Sequence, residues 1–137
     1  MTQKRVIPVM RVLLADDDRD QLTLRSMLLA RSGFETIEAV DWPSAVELAA
    51  AEKPDCAVID LRFPTEENGL QLIRELKNLN SSMHVFVLTG GDPERFSQRP
   101  ERKLVDQVIV KGSSSAYLVE ELQSLAAGKV LPDTDVT

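Results

Sequence analysis

Four short apolar runs in this chain each end on a residue able to do polar chemistry. Val12 to Ala15 runs into Asp16-Asp17-Asp18, Cys56 to Ile59 into Asp60, Val85 to Leu88 into Thr89-Gly90-Gly91, and Val108 to Val110 into Lys111. If the runs are parallel strands, acids, a hydroxyl and an ammonium converge on one edge of a sheet. Two ionised carboxylates about 4 Å apart repel by roughly 4 kcal/mol at an effective dielectric near 20, so such a cluster needs a cation or a raised pKa. All-oxygen ligation by a few carboxylates favours Mg²⁺ over a fully caged Ca²⁺. Lys111 and Thr89 suit phosphoryl oxygens, and an aspartate nucleophile forming an acyl phosphate is established chemistry. Phosphoryl transfer needs mostly positioning and charge neutralisation, which this set supplies.

The intervening segments must bring those ends together. Cys56 to Asp60, bounded by Pro54 and Pro64, reads as a strand buried on both faces. Arg11 to Ala15 reads as the first strand, and Asp18 to Ser32 as a helix whose stripe is Leu24, Met27 and Leu28, widened by Leu22 and Leu29, with Gly33 beyond its end. Phe34 to Val40 alternates like a half-buried strand, and Asp41 caps a helix burying Ala45, Leu48 and Ala49. Leu61 to Asn68 reads as an acidic loop, Gly69 to Leu79 as a helix facing inward through Leu72, Ile73, Leu76 and Leu79, and residues 84–89 as the fourth strand. Asp92 to Lys103 is irregular because Pro100 interrupts any helix within two turns. After the strand Gln107 to Val110, Ser113, Ser114 or Ser115 caps a last helix carrying Leu118, Leu122 and Leu125, which Gly128 ends. Strand and helix thus alternate five times. This predicts an α/β fold, a doubly wound five-stranded parallel sheet with an irregular fourth helix, over residues 9–127, with a lead-in at 1–8 and a tail at 128–137.

At 137 residues the chain suits one domain, with 43% hydrophobic and 28% charged residues. Its net charge of −6 argues against unspecific nucleic-acid binding, and no apolar run is long enough to cross a membrane. The first ten residues lack the apolar stretch of a signal peptide, and the lone Cys56 falls in the central strand as a buried thiol, so a reducing cytoplasm fits. Asp18 and Asp20 read as first-turn acids complementing a helix dipole. His84 reads as structural, and Trp42 and Tyr117 as packing residues.

The order Asp16-Asp17, Asp60, Thr89, Lys111 resembles the receiver domain of bacterial two-component response regulators. The stretch from Val12 to Gly33, the spacing from Asp60 to Pro64 and the interval from Thr89 to Lys111 all fit that family. The resemblance implies a flavodoxin-like (βα)5 fold. It implies that Asp60 accepts a phosphoryl group from a sensor histidine kinase or phosphotransfer protein, with Mg²⁺ as cofactor. Asp17 and Asp60 would bind the ion directly, Asp16 through water, and the backbone carbonyl of Arg62 would add a ligand. Lys111 would pair with the phosphoryl group, Thr89 would move to hydrogen-bond it, and the backbones of Leu61 and Gly90 would contact it. Arg62 and Gly91 flank the path of hydrolytic water; Arg62, paired with Glu66 or Glu67, is expected to tune dephosphorylation. The domain is expected to be a phosphoacceptor rather than an enzyme acting on other molecules, to signal to an effector protein, and to leave a homodimer open.

Four departures from the family stand out, one of them the fourth helix broken by Pro100. Gly112 follows the lysine where proline is usual and is expected in a backbone geometry that glycine tolerates best. Val108 replaces the aromatic switch residue, and the loop from Pro64 to Gly69 is one residue longer than typical. Val108, Gly112 and the broken fourth helix favour an alternative, an interaction module of the same fold that never uses phosphate. A second alternative, a small phosphatase with Asp16 and Asp18 as nucleophile and acid, lacks a convincing second metal-binding acid near Gly91-Asp92.

Overall fold

The computed structural model describes residues 9–112 and 115–130. Strands β1 (Arg11–Ala15), β2 (Glu35–Ala39), β3 (Cys56–Asp60), β4 (His84–Thr89) and β5 (Gln107–Val110) form one sheet, all neighbours parallel, in the order β2-β1-β3-β4-β5. Helices α1 (Arg19–Arg31), α2 (Trp42–Glu52), α3 (Glu66–Leu79), α4 (Pro93–Ser97) and α5 (Ser115–Val130) connect and cover it, with a 3-10 turn at Pro100–Leu104 after α4. This is the flavodoxin-like (βα)5 architecture expected.

Strand side chains alternate between the faces. Leu13, Ala57, Ile59, Val85 and Val87 pack with Ala45 and Ala49 of α2 and Leu72, Ile73 and Leu76 of α3. Val12, Leu14, Cys56, Val58, Phe86 and Ile109 pack on the other face with Leu22 and Leu29 of α1 and Leu118 and Leu122 of α5. Every residue of β3 is buried, as its unbroken apolar run requires, whereas β2 lies at the edge, with Glu35 and Glu38 exposed, Thr36 and Ile37 half-buried and Ala39 buried. The chain leaves β1 first for β2 on one side and later for β3 on the other, so the crevice at the carboxyl ends of β1 and β3 is the switch point where open α/β sheets bind ligands.

Several local expectations need correction. The buried face of α1 is Leu22, Ser26 and Leu29, while Leu24 and Met27 point to solvent. A hydroxyl pair between Ser26 and Thr36 of β2 (2.7 Å) holds that face inward despite the richer leucine stripe beside it. Helix α3 starts at Glu66 rather than Gly69, because the Thr65 side chain caps it by accepting from the Asn68 N–H at 3.2 Å, with Glu66 and Glu67 favourable in its first turn. Leu79, its last residue, is exposed, as is Tyr117 on α5. Helix α5 continues through Gly128 to Val130; a helical glycine costs only about 1 kcal/mol relative to alanine. Ser113, Ser114 and the segment 131–137 lie outside the described residues.

Other expectations hold. Asp41 caps α2 through Ser44 N–H and Asp20 lies in the first turn of α1, whereas Asp18 stands just before that turn as its cap, accepting from the N–H groups of Asp20 and Gln21. Burial in β3 pushes the Cys56 thiol far above its ordinary value, with the charges of Asp106 and Asp55 adding to the effect.

Candidate functional site

The carboxyl edge of the sheet gathers the five residues singled out in the sequence. Asp16 and Asp17 follow β1, Asp60 ends β3, Thr89 ends β4 and Lys111 follows β5. One carboxylate oxygen from each of Asp16, Asp17 and Asp60 lies within 4.8 Å of the others. Asp16 and Asp60 are buried and Asp17 is exposed, so the cluster has a protein wall on one side and water on the other. Lys111 crosses from β5 to donate to Asp60 Oδ2 at 2.8 Å. The backbone N–H of Arg62 donates to Asp60 Oδ1 at 3.2 Å, so both oxygens of that carboxylate are oriented.

Burial raises the Asp60 carboxyl above its ordinary value; the Lys111 hydrogen bond opposes this and the charge of Asp16 adds to it. The folded state therefore holds the Asp60 proton more tightly than the unfolded chain does, and stability falls as pH rises through that raised value. Asp60→Asn removes the penalty. In metal-free buffer the variant should melt a few degrees higher than the wild type at neutral pH, and the gap should close as pH falls and Asp60 protonates. Thermal unfolding across a pH series in chelator measures both.

The surroundings of Thr89 are equally defined. Its buried hydroxyl accepts from the Gly91 N–H at 3.1 Å, and its carbonyl accepts from the Lys111 N–H at 2.7 Å. A cavity of about 290 Å³ opens beside it, lined by Asp60, Arg62, Thr89, Gly90, Arg95 and Lys111 among others. Leu61 and Gly90 both border the cavity, and the Leu61 N–H is held by the Leu88 carbonyl at 2.9 Å, which continues the sheet past Asp60. Gly112 has φ +97°, the left-handed region anticipated for it. Val108 is half-buried against the core and pairs with Val87 in register.

The structure redirects one expectation and adds partners that the sequence did not disclose. Glu66 pairs not with Arg62 but with Arg95 of α4 (3.3 Å) and Arg99 (3.4 Å), and Glu67 also meets Arg99 at 3.5 Å. The start of α3 is thus tied to the irregular segment across the mouth of the cavity. Arg74 of α3 likewise reaches the buried Glu101 of the 3-10 turn. Arg25 of α1 donates to Asp16 Oδ2 at 2.6 Å. Its only sequence signal is a basic residue on the helix face that looks at the strand end. Within the segment joining β3 to α3, Phe63 is fully buried and its bond to Pro64 is cis.

A doubly wound parallel sheet bearing three clustered acids, a buried threonine and an acid-paired lysine at its switch point defines a narrow class of α/β domains. The response regulator receiver domain model matches residues 12–123, and the chain belongs to that family. Among curated relatives, the transcriptional regulatory protein PrrA of Mycobacterium tuberculosis is 35% identical over 115 residues, covering 84% of this chain and 49% of the relative. The alkaline phosphatase synthesis transcriptional regulatory protein PhoP of Bacillus subtilis is 32% identical over 84 residues, 61% of this chain and 35% of the relative. The chain thus spans half or less of the length of these relatives. Among solved structures, a response regulator from Burkholderia pseudomallei with a phosphorylated aspartic acid, calcium ion and citrate superposes with TM-score 0.75 at 26% identity, covering 93% of this chain and 77% of that one. The receiver domain of the Francisella response regulator 1452 gives 0.77 at 25% identity, covering 88% and 98%. Among the described residues no helix is long and apolar enough to cross a membrane.

Proposed function

We propose that this chain is a phosphoacceptor signalling domain in which Asp60 takes a phosphoryl group from a phosphohistidine of a sensor kinase or phosphotransfer protein. The observation that carries the reading is the Asp60 carboxylate itself, gripped at 2.8 Å by Lys111 and by the Arg62 N–H, beside a cavity large enough for a phosphoryl group. Its oxygen attacks phosphorus; the phosphorus–nitrogen bond of the donor breaks, and the departing imidazole keeps the electron pair and takes a proton. Lys111 balances charge on the transferred oxygens, and the Thr89 hydroxyl can exchange Gly91 for a phosphoryl oxygen as acceptor turns donor.

The acid cluster fits a hard divalent cation. Asp16, Asp17 and Asp60 bring three carboxylate oxygens within 4.8 Å of one another, the all-oxygen donor set that suits such an ion. Asp17, Asp60 and the Arg62 carbonyl would hold Mg²⁺, with Asp16 acting through water. When bound, the ion supplies neutralisation of phosphoryl oxygens. Arg62, exposed next to Asp60, and Gly91, beside Thr89, stand where hydrolytic water approaches, so they tune the lifetime of the acyl phosphate.

The Gly90-Gly91-Asp92 segment leads straight into α4, and Arg95 and Arg99 hold α3 there. A shift at Thr89 therefore reaches the Pro93–Leu104 surface without an aromatic relay at Val108, and an effector protein, or a second copy of the chain, reads that surface. Regulation of this kind places the domain in the cytoplasm. Incubation with a small acyl-phosphate donor tests the metal requirement. A phosphoryl adduct that chelation prevents is expected; an adduct formed equally in chelator contradicts it.

A further inference from the structure

Asp16 is the most enclosed of the three acids, and both its oxygens already have protein donors. Oδ1 accepts from the Asp18 N–H at 2.9 Å, and Oδ2 accepts from the Arg25 guanidinium at 2.6 Å. The side chains of this ion pair are 15% and 2% exposed, so water screens it little. Lys111 neutralises Asp60 and Arg25 neutralises Asp16, the one cation from the end of β5 and the other from α1. A dication entering among Asp16, Asp17 and Asp60 meets a positive charge already in place.

The geometry points to Arg25 as a built-in competitor that weakens Mg²⁺ binding and sets the metal concentration at which the site becomes competent. This rests on the reading that the acid cluster holds Mg²⁺. A cation bonded to one of the acids lowers affinity for a second cation through space and ties up an oxygen that metal-bound water would use. Arg25 also has somewhere to go. A groove of about 370 Å³ between α1 and the β5–α5 junction is lined by Gln21, Leu24, Arg25, Lys111 and Ser115, with room for the guanidinium once the ion displaces it. Asp16 keeps its place meanwhile, because the Asp18 N–H holds Oδ1 from within the turn that opens α1. Removing Arg25 therefore frees an oriented carboxylate.

Binding of Mn²⁺, followed by loss of its free-ion spin-resonance signal, and of Mg²⁺ by competition, reads this directly without any phosphoryl donor. Arg25→Gln is expected to bind both ions about tenfold more tightly than the wild type, and Arg25→Lys, which keeps the charge, to stay near wild type. Arg25→Met, which keeps the aliphatic stem, should match the glutamine variant and covers any packing defect peculiar to glutamine. The neutral variants should also gain more thermal stability than the wild type from saturating Mg²⁺. Wild-type binding with equal or weaker affinity in both neutral variants overturns the inference and leaves the metal site standing. Absence of binding in wild type and variants alike overturns the metal site itself.

Discussion

Lys111→Ala is expected to slow acquisition of a phosphoryl group from a small acyl-phosphate donor by about a hundredfold or more. The ammonium lies 2.8 Å from Asp60 Oδ2 and lines the cavity that the phosphoryl group would enter. Removing one such preorganised partner typically costs 10² to 10³ in rate, roughly 3 to 4 kcal/mol of transition-state stabilisation. The substitution acts on the nucleophile as well. Lys111 is the strongest influence holding the Asp60 carboxyl down against burial, so its loss lets that carboxyl rise further and leaves less of it ionised. Mg²⁺ should still bind, and more tightly, because a positive charge has gone. Adduct formation is followed by intact mass at saturating Mg²⁺, which separates transfer from metal binding. A rate within threefold of wild type would remove Lys111 from the chemistry.

The second large effect is on stability. A Cβ at Gly69 would sit 1.9 Å from the Leu61 carbonyl oxygen, a backbone atom that cannot turn aside. Alanine gains about 1 kcal/mol of helix propensity at an interior position, but overpacking against fixed backbone costs roughly 3 kcal/mol or more. The clash wins, and Gly69→Ala should lose about 2 kcal/mol or more in denaturant unfolding. Relief would require α3 to move away from the segment that follows Asp60, so phosphorylation should fall together with stability. An alanine variant at least as stable as the wild type would mean that α3 and Leu61 do not approach this closely.

These two residues show what was legible in the chain before its fold was known. Lys111 and the acids announce themselves because an apolar strand run ending on a charged group needs no long-range knowledge, and parallel pairing then brings the ends together. Gly69 was visible but misread as the opening of α3, when the helix opens at Thr65 through a side-chain cap and the glycine serves a close approach inside it. The stripe of α1 misled for a different reason. Leu24 and Met27 form the richer apolar face, but the Ser26–Thr36 pair and the Arg25–Asp16 pair orient the helix otherwise, and both depend on residues from other elements. The partner of Glu66 was illegible in the same way, because Arg95 and Arg99 reach it only once α4 has folded back over α3. Gly112 was legible only through the family resemblance, since a glycine where that family usually carries proline signals a special backbone angle, here φ +97°.

The measurement that bears most directly on the central claim is the mass and position of the adduct formed with Mg²⁺ and a small acyl-phosphate donor, in wild type and in Asp60→Asn. Intact mass registers the phosphoryl group, and reductive cleavage of the acyl phosphate followed by peptide mapping locates it. The account predicts one phosphoryl group per chain, located at Asp60 and absent from the asparagine variant, which stays folded because substitution relieves a buried charge. A wild-type protein that takes up no phosphoryl group while binding Mg²⁺, or one whose adduct persists in Asp60→Asn, would contradict it.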